Sequence, residues 1–243
     1  MIVSINQPAY LPWLGYFHRI AASDQHIVFD HVQFEKNSFI NRNKVRTAQG
    51  WAWLTVPVET RGHFGDLAIR ELPVDNRGKW RKKHRKTLLQ AYAHAPYLAQ
   101  HRDFIDQVYD RGWDGLNDLL RFTAAYFLDA LAIETPLSFS HDMASQGAKD
   151  ELVLDLCRKA GASVYLSGAL GRGYLREEIF RDAGIEVIYQ DYAHPQYQQC
   201  QQGPFEPFMS VLDLLLNHGP HSREILLSGQ APVTASLSQT SNS

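Results

Sequence analysis

The segment Gln7-Pro8-Ala9-Tyr10-Leu11-Pro12-Trp13-Leu14-Gly15-Tyr16-Phe17 constrains this chain most. A short apolar run before it, Ile2–Ile5, reads as a buried strand. Residues 17–22 after it read as an amphipathic helix. Strand, then a turn punctuated by proline and glycine, then helix is the opening unit of an α/β sheet. Ligands in such sheets sit outside the carboxyl ends of the strands, beside helix N-termini that favour anions. The turn therefore offers Gln7, Tyr10, Trp13 and Gly15 as substrate contacts, with Tyr16 as a hydrogen-bonding catalytic group. The competing reading is a rigid aromatic staple between strand and helix.

With 243 residues, of which 44% are hydrophobic, the chain can bury a substantial core. A formal net charge of −2 gives no global attraction to nucleic acid or membrane. The two cysteines, Cys157 and Cys200, have no metal-like spacing and fit a reduced compartment. No basic leader opens the chain, and no apolar run approaches the ~18 residues needed to span a bilayer. A cytoplasmic protein without membrane contact is expected.

The first third reads as strands at Ile2–Ile5, His26–Phe29, Val32–Phe34, Trp51–Val58 and Leu67–Leu72. The middle third reads as helices over 79–94, 97–109 and 116–132. The last third alternates: helix 150–160, strand Ser163–Leu166, helix 175–183 and strand Glu186–Tyr189. That spacing predicts parallel pairing through right-handed crossovers. The expected architecture is α/β, a mostly parallel Rossmann-like sheet in a single domain over 1–228. A helical insert is expected at about 77–133 and a disordered tail over 229–243.

Other stretches carry candidate chemistry. Asp30 to Arg46 packs Asp30, Gln33, Lys36, Asn41, Arg42, Lys44 and Arg46 among apolar residues, a composition able to grip phosphate or carboxylate. Seven of the ten residues from Arg77 to Lys86 are Lys or Arg. Lys79, Arg81, Lys82, Lys83, Arg85 and Lys86 thus form a candidate patch for RNA or phosphate, or a solvated helix face. Tyr165 to Leu175 runs from strand into a glycine-rich turn, with Ser167, Gly168, Arg172 and Tyr174 as substrate contacts. It has neither Rossmann nor P-loop spacing, and no cofactor is expected. After the last strand, Gln190 and Tyr197 are further contacts, and His194 is the acid/base candidate, with Asp191 near enough in sequence to orient it. Ligand spacing does not favour a metal.

Taken together, these blocks resemble the WbqC-like protein family. The matching pieces are Gln7-Pro8-x-Tyr10-x-Pro12-Trp13-x-Gly15-Tyr16-Phe17, Asp30-x-Val32-Gln33-Phe34 and Asn41-Arg42-Asn43-Lys44. Later come Tyr165-Leu166-Ser167-Gly168, Gly173-Tyr174-Leu175, Tyr189-Gln190, His194-Pro195-x-Tyr197 and Leu212-Asp213-Leu214-Leu215. The resemblance implies a bacterial enzyme of surface-polysaccharide biosynthesis, such as O-antigen, that transfers an activated amino acid to a nucleotide-linked amino sugar or another amine. His194 would then take the amine proton, Asn41 or backbone amides would hold the oxyanion, and Arg42, Lys44 and Arg46 would hold diphosphate. The turn at Pro12-Trp13-Leu14-Gly15-Tyr16 also looks like the His-x-Gly-His turn of nucleotidyltransferases and class I aminoacyl-tRNA synthetases, which implies a HUP-like fold. Trp13 and Tyr16 stand in place of the two histidines. An acyl donor already activated, as aminoacyl-tRNA or thioester, fits that replacement. A nucleotidyltransferase or adenylyltransferase and a non-catalytic nucleotide-sugar binding module stay open as alternatives.

Overall fold

The computed structural model describes residues 1–60 and 67–229. The tail expected to be disordered lies, from residue 230 on, outside the described residues. In chain order, the elements begin with β1 (Ile2–Asn6), α1 (Leu14–Ala21) and β2 (Gln25–Val28). A hairpin of β3 (Arg42–Thr47) and β4 (Gly50–Thr55) follows, then α2 (Trp80–Ala91), α3 (Leu98–Tyr109) and α4 (Leu116–Ala130). Next come β5 (Leu137–Phe139), α5 (Lys149–Lys159), β6 (Val164–Ser167), α6 (Glu177–Asp182) and β7 (Glu186–Tyr189). The described chain ends with α7 (Val211–His218) and α8 (Ser222–Leu227).

The fold is α/β, with a parallel five-stranded sheet in the order β5-β2-β1-β6-β7. Numbered along the sheet's own strands, that order is the 3-2-1-4-5 of a Rossmann-like arrangement. The chain runs outward from β1 in one direction through β2 and β5, then returns to β6 and runs the other way. The neighbouring carboxyl ends of β1 and β6 therefore form the topological switch point, where such sheets open a crevice.

Two cores flank the sheet. On one face Val3, Ile5, Ile27 and Tyr165 pack against Leu156 and Cys157 of α5 and Phe180 of α6. The larger core joins Leu14, Phe17 and Ile20 of α1 to Phe127 of α4, Leu215 of α7 and Val45 and Leu54 of the hairpin. Every strand of the sheet is short and largely apolar inside, as buried parallel strands require, and the buried Ser4 of β1 and His26 of β2 hydrogen-bond to each other at 2.8 Å.

Several local expectations are corrected. Val32–Phe34 and Leu67–Leu72 are not strands: they meet through a single bridge, Gln33 to Ala68, and residues 69–71 wind into a 3₁₀ turn. The Trp51–Val58 strand stops at Thr55, before Pro57, which has no N–H to give a ladder. The helix expected from residue 175 starts at Glu177, because residues 169–173 form a 3₁₀ turn first. The last five residues of the polar stretch from Asp30 to Arg46 lie in β3. Its pairing with β4 is supported inside by Val45 and by Arg46, whose guanidinium donates to the carbonyls of Thr47, Gly50, Gln202 and Pro204. Arg46 is thus an internal anchor, already committed to backbone.

Candidate functional site

Around β1 the chain builds one wall of the crevice. Trp13 folds its ring back over Gly15, so that a Cβ at residue 15 would overlap the indole. Its ring also meets Tyr192 at 5.7 Å, His194 at 6.2 Å and Phe208 at 5.6 Å between centroids. Gln190, just past β7, donates its Nε2–H toward the Gly15 carbonyl at 2.9 Å and toward His18 Nδ1 at 3.0 Å. Trp13, Gly15, Gln190 and His194, singled out separately in the sequence, are therefore brought together.

His194 is held on both sides by backbone. Its Nδ1 lies 2.9 Å from the Pro195 carbonyl, so Nδ1–H donates there, and Nε2 accepts from the Phe208 N–H at 3.2 Å. Burial pushes its pKa down. Its Nδ1 partner is the Pro195 carbonyl, and Asp191 is exposed. Tyr197 donates its hydroxyl to the buried Asp213, 2.8 Å away.

The remaining sequence candidates scatter. Tyr10 is fully buried, with its hydroxyl 2.6 Å from that of Tyr109 and 3.1 Å from His84 Nδ1. Tyr16 is buried against Phe17 and His26, and desolvation raises its pKa to about 12. Asn41 spends its amide on the Val56 carbonyl at 2.8 Å. Arg42 lies over the Trp53 ring at 4.4 Å and donates to the Asn37 carbonyl, while Lys44 lies over Trp51 at 4.5 Å. Gln33 and Lys36 are exposed, and Gln7 is half-buried at the mouth of the turn. Ser167 donates to the Gly168 carbonyl, and Arg172 covers the Tyr189 ring at 4.4 Å beside the exposed Tyr174.

The basic run starts α2 and is partly neutralised. Arg85 pairs with Asp106 at 2.8 Å, while Lys79, Lys82, Lys83 and Lys86 face solvent and Arg81 is half-buried. Exposed charges of this kind contribute little to stability.

Sequence reasoning missed the partners of Asp30. This carboxylate is fully buried just beyond β2. Its Oδ2 lies 2.7 Å from His141 Nδ1 and 3.4 Å from the Asn117 amide. Its Oδ1 accepts from the Ser140 hydroxyl at 3.2 Å, and Ser140 in turn accepts from the Asp30 N–H and from His31 Nδ1. Because a carboxylate only accepts, Nδ1–H of His141 donates to it, and in the neutral ring Nε2 is then the nitrogen able to take a proton. Nε2 faces Asp142 Oδ1 at 3.3 Å, and the His141 side chain keeps 22% of its exposure. Ser140 and His141 immediately follow β5, so a buried carboxylate orients a solvent-reaching imidazole on the carboxyl edge of the sheet.

The second missed residue is Arg19 of α1. It is buried beside Gly168, where a Cβ would overlap Nη1. Its Nε has no hydrogen-bond partner. Neither residue has a signal in single-sequence patterning: His141 lies in a short stretch with no motif, and Arg19 looks like an ordinary charged helix position.

The buried Cys157 does not compete with this arrangement as a nucleophile. Burial raises the Cys157 thiol to about 12, which keeps it protonated and inert. Among the described residues, no group of three or more His, Cys, Asp or Glu is placed to hold a metal ion.

The sequence profile of the WbqC-like protein family matches residues 7–225. The chain belongs to the WbqC-like protein family. It is also 36% identical, over 226 residues, to an uncharacterized protein of Mycobacterium tuberculosis, covering 92% of this chain and 96% of that one. No solved structure matches the chain. The WbqC-like match starts at Gln7, where β1 gives way to the turn, and takes in Arg19, Asp30 and His141. Among the described residues, no helix of this WbqC-like protein is long and apolar enough to cross a membrane.

Proposed function

We propose that this WbqC-like protein is a transferase that moves an activated aminoacyl group, such as glycyl, onto the amine of a nucleotide-linked amino sugar in surface-polysaccharide or related biosynthesis. The observation that carries the reading is the Asp30–His141 pair at the carboxyl edge of the sheet, with 2.7 Å between Oδ2 and Nδ1. Aminoacyl transfer to an amine needs a proton acceptor at the nitrogen. The amine attacks the acyl carbon, a C–N bond forms, and His141 Nε2 takes the proton. The bond to the donor oxygen or sulfur then breaks, and the imidazolium returns the proton to that leaving group. Asp30 Oδ2 and Asp142 Oδ1 flank the ring, one beside each ring nitrogen. The committed backbone bonds of His194 favour His141 over it as the acceptor, and give His194 a positioning role beneath Trp13.

The donor fits one activated elsewhere, as a thioester or aminoacyl-tRNA. Support comes from Trp13, whose ring covers the glycine that would otherwise admit a nucleotide base. The lysines of α2 are the candidate surface for a tRNA donor. The testing experiment incubates the protein with candidate nucleotide-linked amino sugars and glycine in each activated form, then looks for the glycylated sugar nucleotide by mass spectrometry. The reading expects that product from one donor class. Failure of every donor and acceptor pair would leave a binding module as the better description.

A further inference from the structure

Arg19 carries a cation into the protein with nothing to neutralise it. Only 9% of the residue is exposed, and its Nε is buried without a partner. Among the described residues the guanidinium has no ion pair, and the ionisable groups that act on it are the tyrosines Tyr165, Tyr16 and Tyr174. The nearby His18 and His26 are held neutral, so they add no charge of either sign. Buried charges are ordinarily paired or bound to a ligand, because desolvation is not otherwise repaid. An unpaired buried guanidinium is therefore a specific anomaly of this fold.

Its place gives the anomaly a purpose. Side chains on a helix lean toward the helix N-terminus, and α1 starts at the carboxyl edge of the sheet. Arg19 thus reaches back toward the crevice between β1 and β6, where Nη1 packs on Gly168, the first residue after β6. A side chain at residue 168 would push that nitrogen from its place. Planar guanidinium presents five N–H donors and matches phosphate oxygens bidentately. Five donors exceed what the two oxygens of a carboxylate use, whereas a phosphate group has further oxygens to accept them.

We propose that Arg19, backed by Gly168, is the receptor for a phosphate oxyanion, free or carried by a nucleotide, at the switch point of the sheet. The inference deepens the transferase reading by naming the group its sugar-nucleotide acceptor presents, yet anion binding can be measured without any transfer.

The test is calorimetric titration and thermal melting of the full chain with inorganic pyrophosphate, uridine diphosphate, uridine and acetate. Pyrophosphate and the nucleotide should bind and raise the melting temperature, while uridine and acetate should not. Arg19→Met should weaken pyrophosphate at least about 10-fold, the loss of charged hydrogen bonds. Without ligand, Arg19→Met should melt no lower than the parent protein, because it removes an unpaired buried charge. Arg19→Lys keeps the charge, and should retain binding with reduced affinity. An unchanged pyrophosphate shift in Arg19→Met would overturn the proposal. So would acetate binding as strong as pyrophosphate, or a parent protein that binds neither phosphate. Phosphate binding lost in Arg19→Met, in a protein that transfers nothing, would keep this inference and remove the transferase reading alone.

Discussion

Asp30 Oδ2 lies 2.7 Å from His141 Nδ1 across 111 residues of chain. The contact joins the ends of two neighbouring parallel strands, β2 and β5, on the edge where sheets of this topology bind ligands. Asp30 has Ser140 and Asn117 as further donors, so its carboxylate is fixed before any substrate arrives. In the neutral ring, Asp30 holds the proton at Nδ1 and leaves Nε2 to accept one.

The first prediction concerns that tautomer. Asp30→Asn replaces an acceptor-only group with an amide that can also donate to Nδ1, and so releases the ring from a single orientation. Turnover of the transfer reaction should fall by ~10²-fold while KM stays nearly constant, as for a group acting in the transition state. The matching readout is nitrogen NMR of the His141 ring, which should show Nδ1 protonated in the parent protein and mixed tautomers in the variant. A raised KM with unchanged kcat would assign Asp30 to substrate binding.

The second prediction follows from the ring of Trp13 over Gly15. With the glycine covered and no histidine at position 13 or 16, the protein should support no glycine-dependent ATP–pyrophosphate exchange. A control adenylating enzyme in the same assay establishes sensitivity. Exchange above background would show that the chain activates its own amino acid, and the need for a pre-activated donor would fall.

How much of this was legible beforehand differs by residue. The strand expected at residues 2–5 and the helix after it followed from a strong apolar run and turn punctuation, and parallel pairing followed from strand and helix alternation in the last third. β3 did not, because Arg42 to Arg46 has a single apolar residue, Val45, and its buried Arg46 is satisfied partly by carbonyls of Gln202 and Pro204 far along the chain. β5 is three residues long, too short to show a period. Trp13, Gly15, Gln190 and His194 stood out as motifs, and the fold does gather them. His141 and Arg19 were invisible because their meaning lies in partners: one has a buried carboxylate from another strand, the other has none.

The third prediction is a loss of stability in mild acid. Burial depresses His18 and His84 to about 4 and His26 to about 3, and all three are almost wholly enclosed. A histidine in the unfolded chain titrates near 6.5. The unfolded state therefore binds protons that the folded state refuses, so stability is complete above the unfolded value and falls as pH drops from about 6.5 toward 4. Near pH 5 each histidine should cost roughly 2 kcal/mol. Asp213 works in the opposite sense, because burial raises its pKa and the folded state gains its proton first. Urea denaturation at neutral pH and near pH 5 measures the balance. Equal stability at the two values would contradict the buried, neutral state of these rings.

The most direct measurement is the single-turnover rate of glycyl transfer to a nucleotide-linked amino sugar by the parent protein and by His141→Ala, at matched and saturating acceptor. The account predicts a rate at least ~10²-fold lower in the variant, with acceptor binding intact, because the proton on the attacking amine has lost its acceptor. An undiminished rate in His141→Ala would contradict it and move the chemistry away from the Asp30–His141 pair.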